Sequence, residues 1–415
     1  MGMNRSTAAL GALAAGIAAG AALRGADNSE IAEIIRPIGT LWLNALKMTL
    51  VPLVFAMVAK GIIALDRSHG GGRLLGIAVP LMMGLLGASM LTGMAIGLAF
   101  EAVWPATPIT VAAAGAAPLA TPETPSISQM LIALLPPNPV AAASNGAMAS
   151  LVVFAIIFGF AASRTGDAIT PLLEQLAAAM LRIVDWVLIF TPIGIFALAL
   201  GLAFDNGLDV AGFVARIVLV YGFCAAIAVM LGYLIAWVGG GIEPLPFGRA
   251  IGGCQAMAAG TCSSAATLPA MIETSEQKLG IPPAIGGSVL PLAVAVFRFG
   301  VPLCQGAIVI LFMRTMGLPL DPATLLIGGA VLILSNMGAA GLPGAAVMYA
   351  SWAAGLQVLD LPLELIPLLI AANALPDIIL TAANVTAHLA VTSVVARRLR
   401  PGRAAQTDLS PEPAE

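Results

Sequence analysis

Two stretches decide how this chain folds: "AMAAGTCSSAATLPAM", Ala256–Met271, and "LSNMGAAGLPGAAVMY", Leu334–Tyr349. Each places small and polar residues between two apolar arms. The arms read as about 10–15 residues, too short to cross a bilayer alone. A helical hairpin that enters and leaves by the same face fits this pattern. Irregular backbone at membrane depth survives only where protein or a water-filled cavity satisfies it. Half-helix ends at such tips are ready sites for charged groups, and two such elements hint at an inverted internal repeat. Two ordinary spans kinked at Pro269 and Pro343 also suit these residues, because Gly and Pro are common in transmembrane helices.

The rest of the chain agrees with a bilayer setting. Of 415 residues, 60% are hydrophobic and only 9% charged, and the mean hydropathy is +1.00. A soluble domain carries roughly a quarter charged residues, so this is a polytopic membrane protein in contact with lipid. The formal net charge is −3, and the densest basic run is "RRLRPGR", Arg397–Arg403. That argues against nucleic acid as a partner. The four cysteines, Cys224, Cys254, Cys262 and Cys304, lie in apolar or small-residue segments. They resemble neither a disulfide scaffold nor a metal knuckle. With only two histidines, His69 and His388, no cofactor and no metal site is expected. The run Thr7–Leu23 reads as a first span rather than a signal peptide, since more apolar segments follow at once.

Apolar segments long enough to span fall near 6–23, 37–64, 73–101, 128–162, 178–203 and 209–239. The broken segments 247–272 and 322–357 follow, with an interrupted segment at 284–316 between them and a last span at 362–396. With both termini cytoplasmic, Lys60, Arg67, Arg73, Arg164, Arg249, Lys278 and the basic tail gather on the inner side. Glu123, Asp205 and Asp209 fall outside, as the positive-inside rule expects, while Arg24 and Arg314 run against it. The Pro- and Thr-rich loop of about 102–127 reads as an external excursion or linker. The tail 401–415 reads as disordered.

Two charged residues stand out in apolar surroundings. Arg298 sits within "LPLAVAVFRFGVPLCQG", Leu290–Gly306, and Asp377 within the last span. An intramembrane carboxylate usually faces a protein interior or an aqueous path. Helical spacing puts Asp377, Thr381, Asn384 and His388 on one stripe, with Asn373 alongside. A purely structural seam between helices would use the same stripe. Ser263 and Ser264 mark the first tip. Asn336 and the glycine-rich backbone around Gly341 mark the second. None of these makes a nucleophile–base set, and no phosphate loop, nucleotide fingerprint or haem motif appears. Transport is therefore expected, and an enzyme is not.

At these residues the chain resembles the glutamate transporter homologues, the dicarboxylate/amino acid:cation symporter family. The marks are "SSAATLP" (Ser263–Pro269), "GAAGLPGA" (Gly338–Ala345), "NVTAHLAVT" (Asn384–Thr392) and "LWLNALKMTLVPLVFAMV" (Leu41–Val58). The resemblance implies an all-α fold of eight transmembrane helices plus two re-entrant hairpins. It also implies a homotrimer in a cell inner membrane that works as an elevator. Residues 1–240 would hold mainly the trimerisation scaffold, together with helices 3 and 6 of the transport domain. Residues 241–400 would form the core of the transport domain. By the same resemblance, Asp377 holds a substrate amino group, and Asn384, Thr381, Ser263, Ser264 and Gly341 line the substrate.

The chain also departs from that family. The positions where acidic-substrate members carry an arginine are Leu380 and Cys262. The cation signature asparagine–methionine–aspartate–glycine–threonine is replaced by "FRFGV", Phe297–Val301, and a further sodium-binding aspartate by His388. Sodium, like other hard cations, wants oxygen ligands, so ordinary multi-sodium coupling is not expected. The coupling cation is left as proton or sodium, with His388 a proton carrier or a neutral hydrogen-bonding residue. Arg298 has three readings: a grip on a substrate carboxylate, an internal partner of Asp377 in a carrier of neutral solutes, or a residue at an interface or wet edge. A non-transporting receptor on the same scaffold is the alternative function.

Overall fold

The computed structural model describes residues 2–26, 29–68, 72–105, 135–145, 148–166, 168–338 and 344–399. Among them every regular element is helical. The first half runs through α1 (Gly2–Gly25), α2 (Ser29–Lys47), α3 (Leu50–Ser68), α4 (Gly72–Val103) and a short α5 (Pro139–Ser144). It continues through α6 (Met148–Ser163), α7 (Ile169–Val187), α8 (Thr191–Asn206) and α9 (Asp209–Leu234). The second half holds α10 (Pro244–Thr261), α11 (Ser264–Gln277), α12 (Pro283–Val296), α13 (Gly300–Thr315), α14 (Pro322–Gly338), α15 (Gly344–Val358), α16 (Leu365–Ala372) and α17 (Pro376–Leu399).

The protein is an all-α, multi-span membrane protein. Among the described residues, six stretches are long and apolar enough to cross a bilayer: Glu30–Ile63, Gly76–Val103, Ile169–Asn206, Asp209–Gly239, Pro283–Thr315 and Pro376–Leu399. Shorter apolar helices cover Gly11–Arg24, Ser150–Ser163 and Pro322–Met337. Most of the loop expected at 102–127 and the tail from 401 lie outside the described residues, as does Gly341.

Several expected single spans are broken, and proline explains each break. The span read at 37–64 divides at Met48–Thr49. Pro52 has no N–H for the Met48 carbonyl and crowds it, and the Thr49 hydroxyl donates to Leu46 O at 2.8 Å instead. The span read at 178–203 passes through a 3₁₀ turn at Leu188–Phe190. Pro192 cannot donate to Leu188 O, which accepts from Thr191 N instead and from Thr191 Oγ1 at 2.7 Å. The indole of Trp42 donates to the neighbouring Val187 O at 3.0 Å. The last segment, read as one span over 362–396, is two helices. α16 stops at Ala372, a turn covers 373–375, and Pro376 opens α17, the first-turn position proline favours.

Glycines let the helices approach closely, the device membrane proteins use where lipid offers no hydrophobic drive for association. α1 packs on α8 through Gly16 and Gly20; a methyl group on Gly16 would lie 2.6 Å from Phe196 O. α4 packs on α13 through Gly93, Gly97 and Gly306. α3 packs against α6 and α7, and α10 folds back on α11 as α14 does on α15. The hairpin arms are 18, 14, 17 and 15 residues; the second arm of each hairpin has the expected length and the first is longer. α17 is the central helix, wrapped by α9, α10, α11 and α12, and buried nearly continuously from Leu380 to Ala396.

Candidate functional site

The site is built where two broken helices meet. α12 ends at Val296 and α13 begins at Gly300, leaving Phe297, Arg298 and Phe299 between them. Pro302 causes the break. It cannot donate to Arg298 O, which accepts from Val301 N at 3.1 Å instead. A break of this kind usually frees backbone carbonyls for a cation, but here side chains take them. The His388 ring contacts Phe297 O through Nε2 at 2.8 Å. A carbonyl only accepts, so Nε2 carries the hydrogen. Ser89, reaching in from α4, donates to Phe299 O at 2.6 Å. Gly300 N donates to Asn384 Oδ1 at 2.9 Å. Glycine keeps this approach close: a Cβ at residue 300 would lie 2.7 Å from Leu380 Cδ1, and that side chain would have to shift. Phe297 and Phe299 are buried, with ring centroids 5.8 Å apart.

Arg298 is thus held on both sides by a pinned backbone. Its Nη1 is buried and has no hydrogen-bond partner. Among the described residues the ion pairs are Arg36–Asp205, Lys47–Glu364, Lys60–Glu174 and Arg216–Glu101; Arg298 and Asp377 do not form one. They lie close enough for each charge to bear on the other.

Asp377 sits in the first turn of α17, where the helix dipole favours a carboxylate, and its N–H donates to Asn373 O at 2.9 Å. Thr381 turns its hydroxyl back to Asp377 O at 2.8 Å, so it braces the first turns of its own helix. Asn384 spends Oδ1 on the break and keeps its Nδ2 donors. His388 is fully buried, and its Nδ1 has no partner.

The first hairpin brings its tip to the same place. Cys262 takes a left-handed conformation at φ 48° and lies within the field of Asp377. Ser263 caps α11, its hydroxyl accepting from Ala266 N at 3.2 Å, and its carbonyl accepts from Thr267 Oγ1 at 2.9 Å. Ser264 keeps a hydroxyl with no hydrogen bond among the described residues. Asn336 does not join this cluster. It donates to Gln305 Oε1 at 2.6 Å and ties the second hairpin to α13. Leu380 is buried against Gly300.

The sequence reading missed Ser89 and Tyr221. Ser89 stands among apolar residues of α4, and that isolation was its signal. Tyr221 in α9 keeps a buried hydroxyl without a partner in the field of Arg298 and Asp377, and nothing in its local sequence marks it.

The chain belongs to the sodium:dicarboxylate symporter family, whose model matches residues 6–398. This is a family of transporters, in keeping with transport rather than catalysis. The chain is 28% identical to C4-dicarboxylate transport protein 2 of Ralstonia nicotianae, over 77% of this chain and 73% of that protein. It is 25% identical to the serine/threonine transporter SstT of Streptococcus thermophilus, over 87% and 89%. It is 28% identical to the neutral amino acid transporter B(0) of Oryctolagus cuniculus, over 90% and 76%.

Proposed function

We propose that this protein is a secondary transporter of a small polar solute, an amino acid or a dicarboxylate, that moves its substrate by an elevator mechanism. One observation carries the reading: the buried α17 presents Asp377 and Asn384 to the broken α12–α13 segment, where Arg298 stands with an unpartnered donor. A charged, unsatisfied group at membrane depth marks a substrate or ion path more often than a structural seam. Eight spans and two re-entrant hairpins, a homotrimer in the inner membrane and cytoplasmic termini complete the proposal. Residues 1–240 supply mainly the scaffold, and 241–400 the core of the moving body. Lys47 of α2 pairs with Glu364, just before α16, at 3.3 Å, and on this reading that pair joins the two bodies in one of their positions.

Sodium is not expected at the α12–α13 break. The residues there do not fit it: Phe297 and Phe299 offer no side-chain oxygen, and their carbonyls already accept from His388 and Ser89. Arg298 stands in as a tethered cation. A proton on His388 is the second reading for coupling, favoured by its unpartnered Nδ1. Uptake of labelled amino acids and dicarboxylates into proteoliposomes, under separate sodium and proton gradients, tests both. Strict sodium dependence would overturn the tethered-cation reading. Stimulation by an inward proton gradient that is lost in His388→Asn would support the second.

A further inference from the structure

The charges around the site are few enough to count. The second hairpin, from Pro322 to Val358, has no charged residue. In the first hairpin and in α13, Arg249, Glu273, Glu276 and Arg314 each lie more than two helical turns from the tip or the break. α17 carries only Asp377 before its basic end at Arg397. The site therefore holds one fixed positive charge, Arg298, and one fixed negative charge, Asp377.

Opposite charges in a low-dielectric interior attract strongly and tend to collapse into contact. Here they do not touch. The backbone on either side of Arg298 is pinned by His388, Ser89 and Asn384, and Asp377 is fixed in the first turn of α17. Two held, separated charges of opposite sign form the mirror image of a zwitterion. A carboxylate suits the guanidinium fork, with Asn384 Nδ2 and the Ser264 hydroxyl as further donors. An ammonium suits Asp377. A second carboxylate finds no cation, because Leu380 is packed against Gly300 and Cys262 is a thiol.

We propose that the solute is a zwitterion of zero net charge, an α-amino acid with an uncharged side chain, and that its passage is electroneutral. This rests on the transport reading and narrows it. The site has zero net charge with or without such a solute, so no co-transported cation is needed to balance it. A dicarboxylate would leave uncompensated negative charge in the interior, which is costly.

The test uses the full chain in proteoliposomes, with labelled serine, aspartate and succinate in counterflow. Serine is expected to exchange without sodium, and aspartate and succinate at least about tenfold more slowly. A potassium diffusion potential of about 100 mV should leave serine accumulation unchanged, whereas one uncompensated charge would shift it roughly 50-fold. Asp377→Asn should lose serine exchange and, with Arg298 left as the only fixed charge, admit lactate, which carries a hydroxyl in place of the ammonium. Thermal melting of the purified variant verifies that it is folded, and a melting shift of the parent protein with serine but not succinate gives a second measurement. Faster exchange of succinate or aspartate than of serine, or serine accumulation that follows the potential, overturns this inference and leaves the transport reading standing. If none of the solutes crosses, the transport reading falls and takes this one with it.

Discussion

Two arginines of the helical body are held in different ways, Arg216 buried and Arg298 partly exposed with a buried Nη1. Arg216, in α9, is 4% exposed. It pairs with Glu101 at 2.7 Å, donates to Trp104 O, and lies over the Trp104 ring at 5.3 Å from its centroid. Arg298 has a pinned backbone and a buried Nη1 with no acceptor. Arg216 also keeps an unpartnered Nε, but its Nη2 is paired with a carboxylate, and a paired buried cation is a clamp; here it ties the end of α4 to α9. A cation with no carboxylate partner and a buried, unpartnered Nη1 keeps a donor that a ligand can take up, because a buried donor without a partner is costly. The difference separates architecture from site without reference to sequence position.

The sharpest way to break this comparison is to neutralise each arginine in turn. Arg298→Gln should reduce transport by about a hundredfold, the scale of a lost charge-assisted contact of about 3 kcal/mol. Its melting temperature should stay near that of the parent. Arg216→Gln should do the reverse: stranding Glu101 in a buried setting costs about 3–5 kcal/mol, read as a lower melting temperature, with transport per folded molecule largely kept. If both variants lose stability equally, the two arginines are both structural.

A cross-link sharpens the comparison at the junction of the two halves. With cysteines at Lys47 and Glu364, oxidation should stop uptake at least about tenfold if α2 and α16 move past each other, and a reductant should restore it. Unimpaired uptake in the cross-linked protein would remove relative motion at this contact.

Smaller effects follow at the capped carbonyls. Ser89→Ala removes the donor to Phe299 O and should cost about 1–3 kcal/mol of stability, measured by denaturation in detergent. If the variant also became sodium-stimulated, the freed carbonyl would be acting as a cation ligand. The smallest effect is expected at Asp321, which caps α14. Its carboxyl accepts from Thr324 N and Thr324 Oγ1, each at 2.8 Å, and these bonds hold it below the usual carboxylate range. A depressed acid stabilises the fold above its unfolded pKa of about 3.9. That contribution is lost as pH falls through the lower folded value. Asp321→Asn should therefore flatten the acid limb of the melting profile slightly and lower the melting temperature a little at neutral pH, where the ionised carboxylate contributes.

Much of the architecture was readable from residue order. The apolar runs and the small, polar tips at 256–271 and 334–349 placed the helices and hairpins, because helices longer than a few turns need sustained apolar faces in lipid. The stripe of Asp377 and Asn384 was readable from helical spacing. The breaks at Met48–Thr49, Leu188–Phe190 and 373–375 were passed over, although Pro52, Pro192 and Pro376 announced them. A hydropathy average does not register one missing N–H. The hydroxyl of Thr381, expected at the substrate, donates to Asp377 O, a bond that helical spacing does not announce.

The sequence by itself determined that this chain lives in a bilayer, that its helices are interrupted in the second half, and that Arg298 and Asp377 stand in apolar segments there. Those properties follow from composition and local spacing, which need no partner. Only the tertiary structure decided that Ser89 from α4 and His388 from α17 close the carbonyls of a break between α12 and α13, and that Arg298 and Asp377 stand near each other without touching. Hydrogen bonds between residues 84–210 positions apart depend on how the helices dock, and no local pattern encodes that docking.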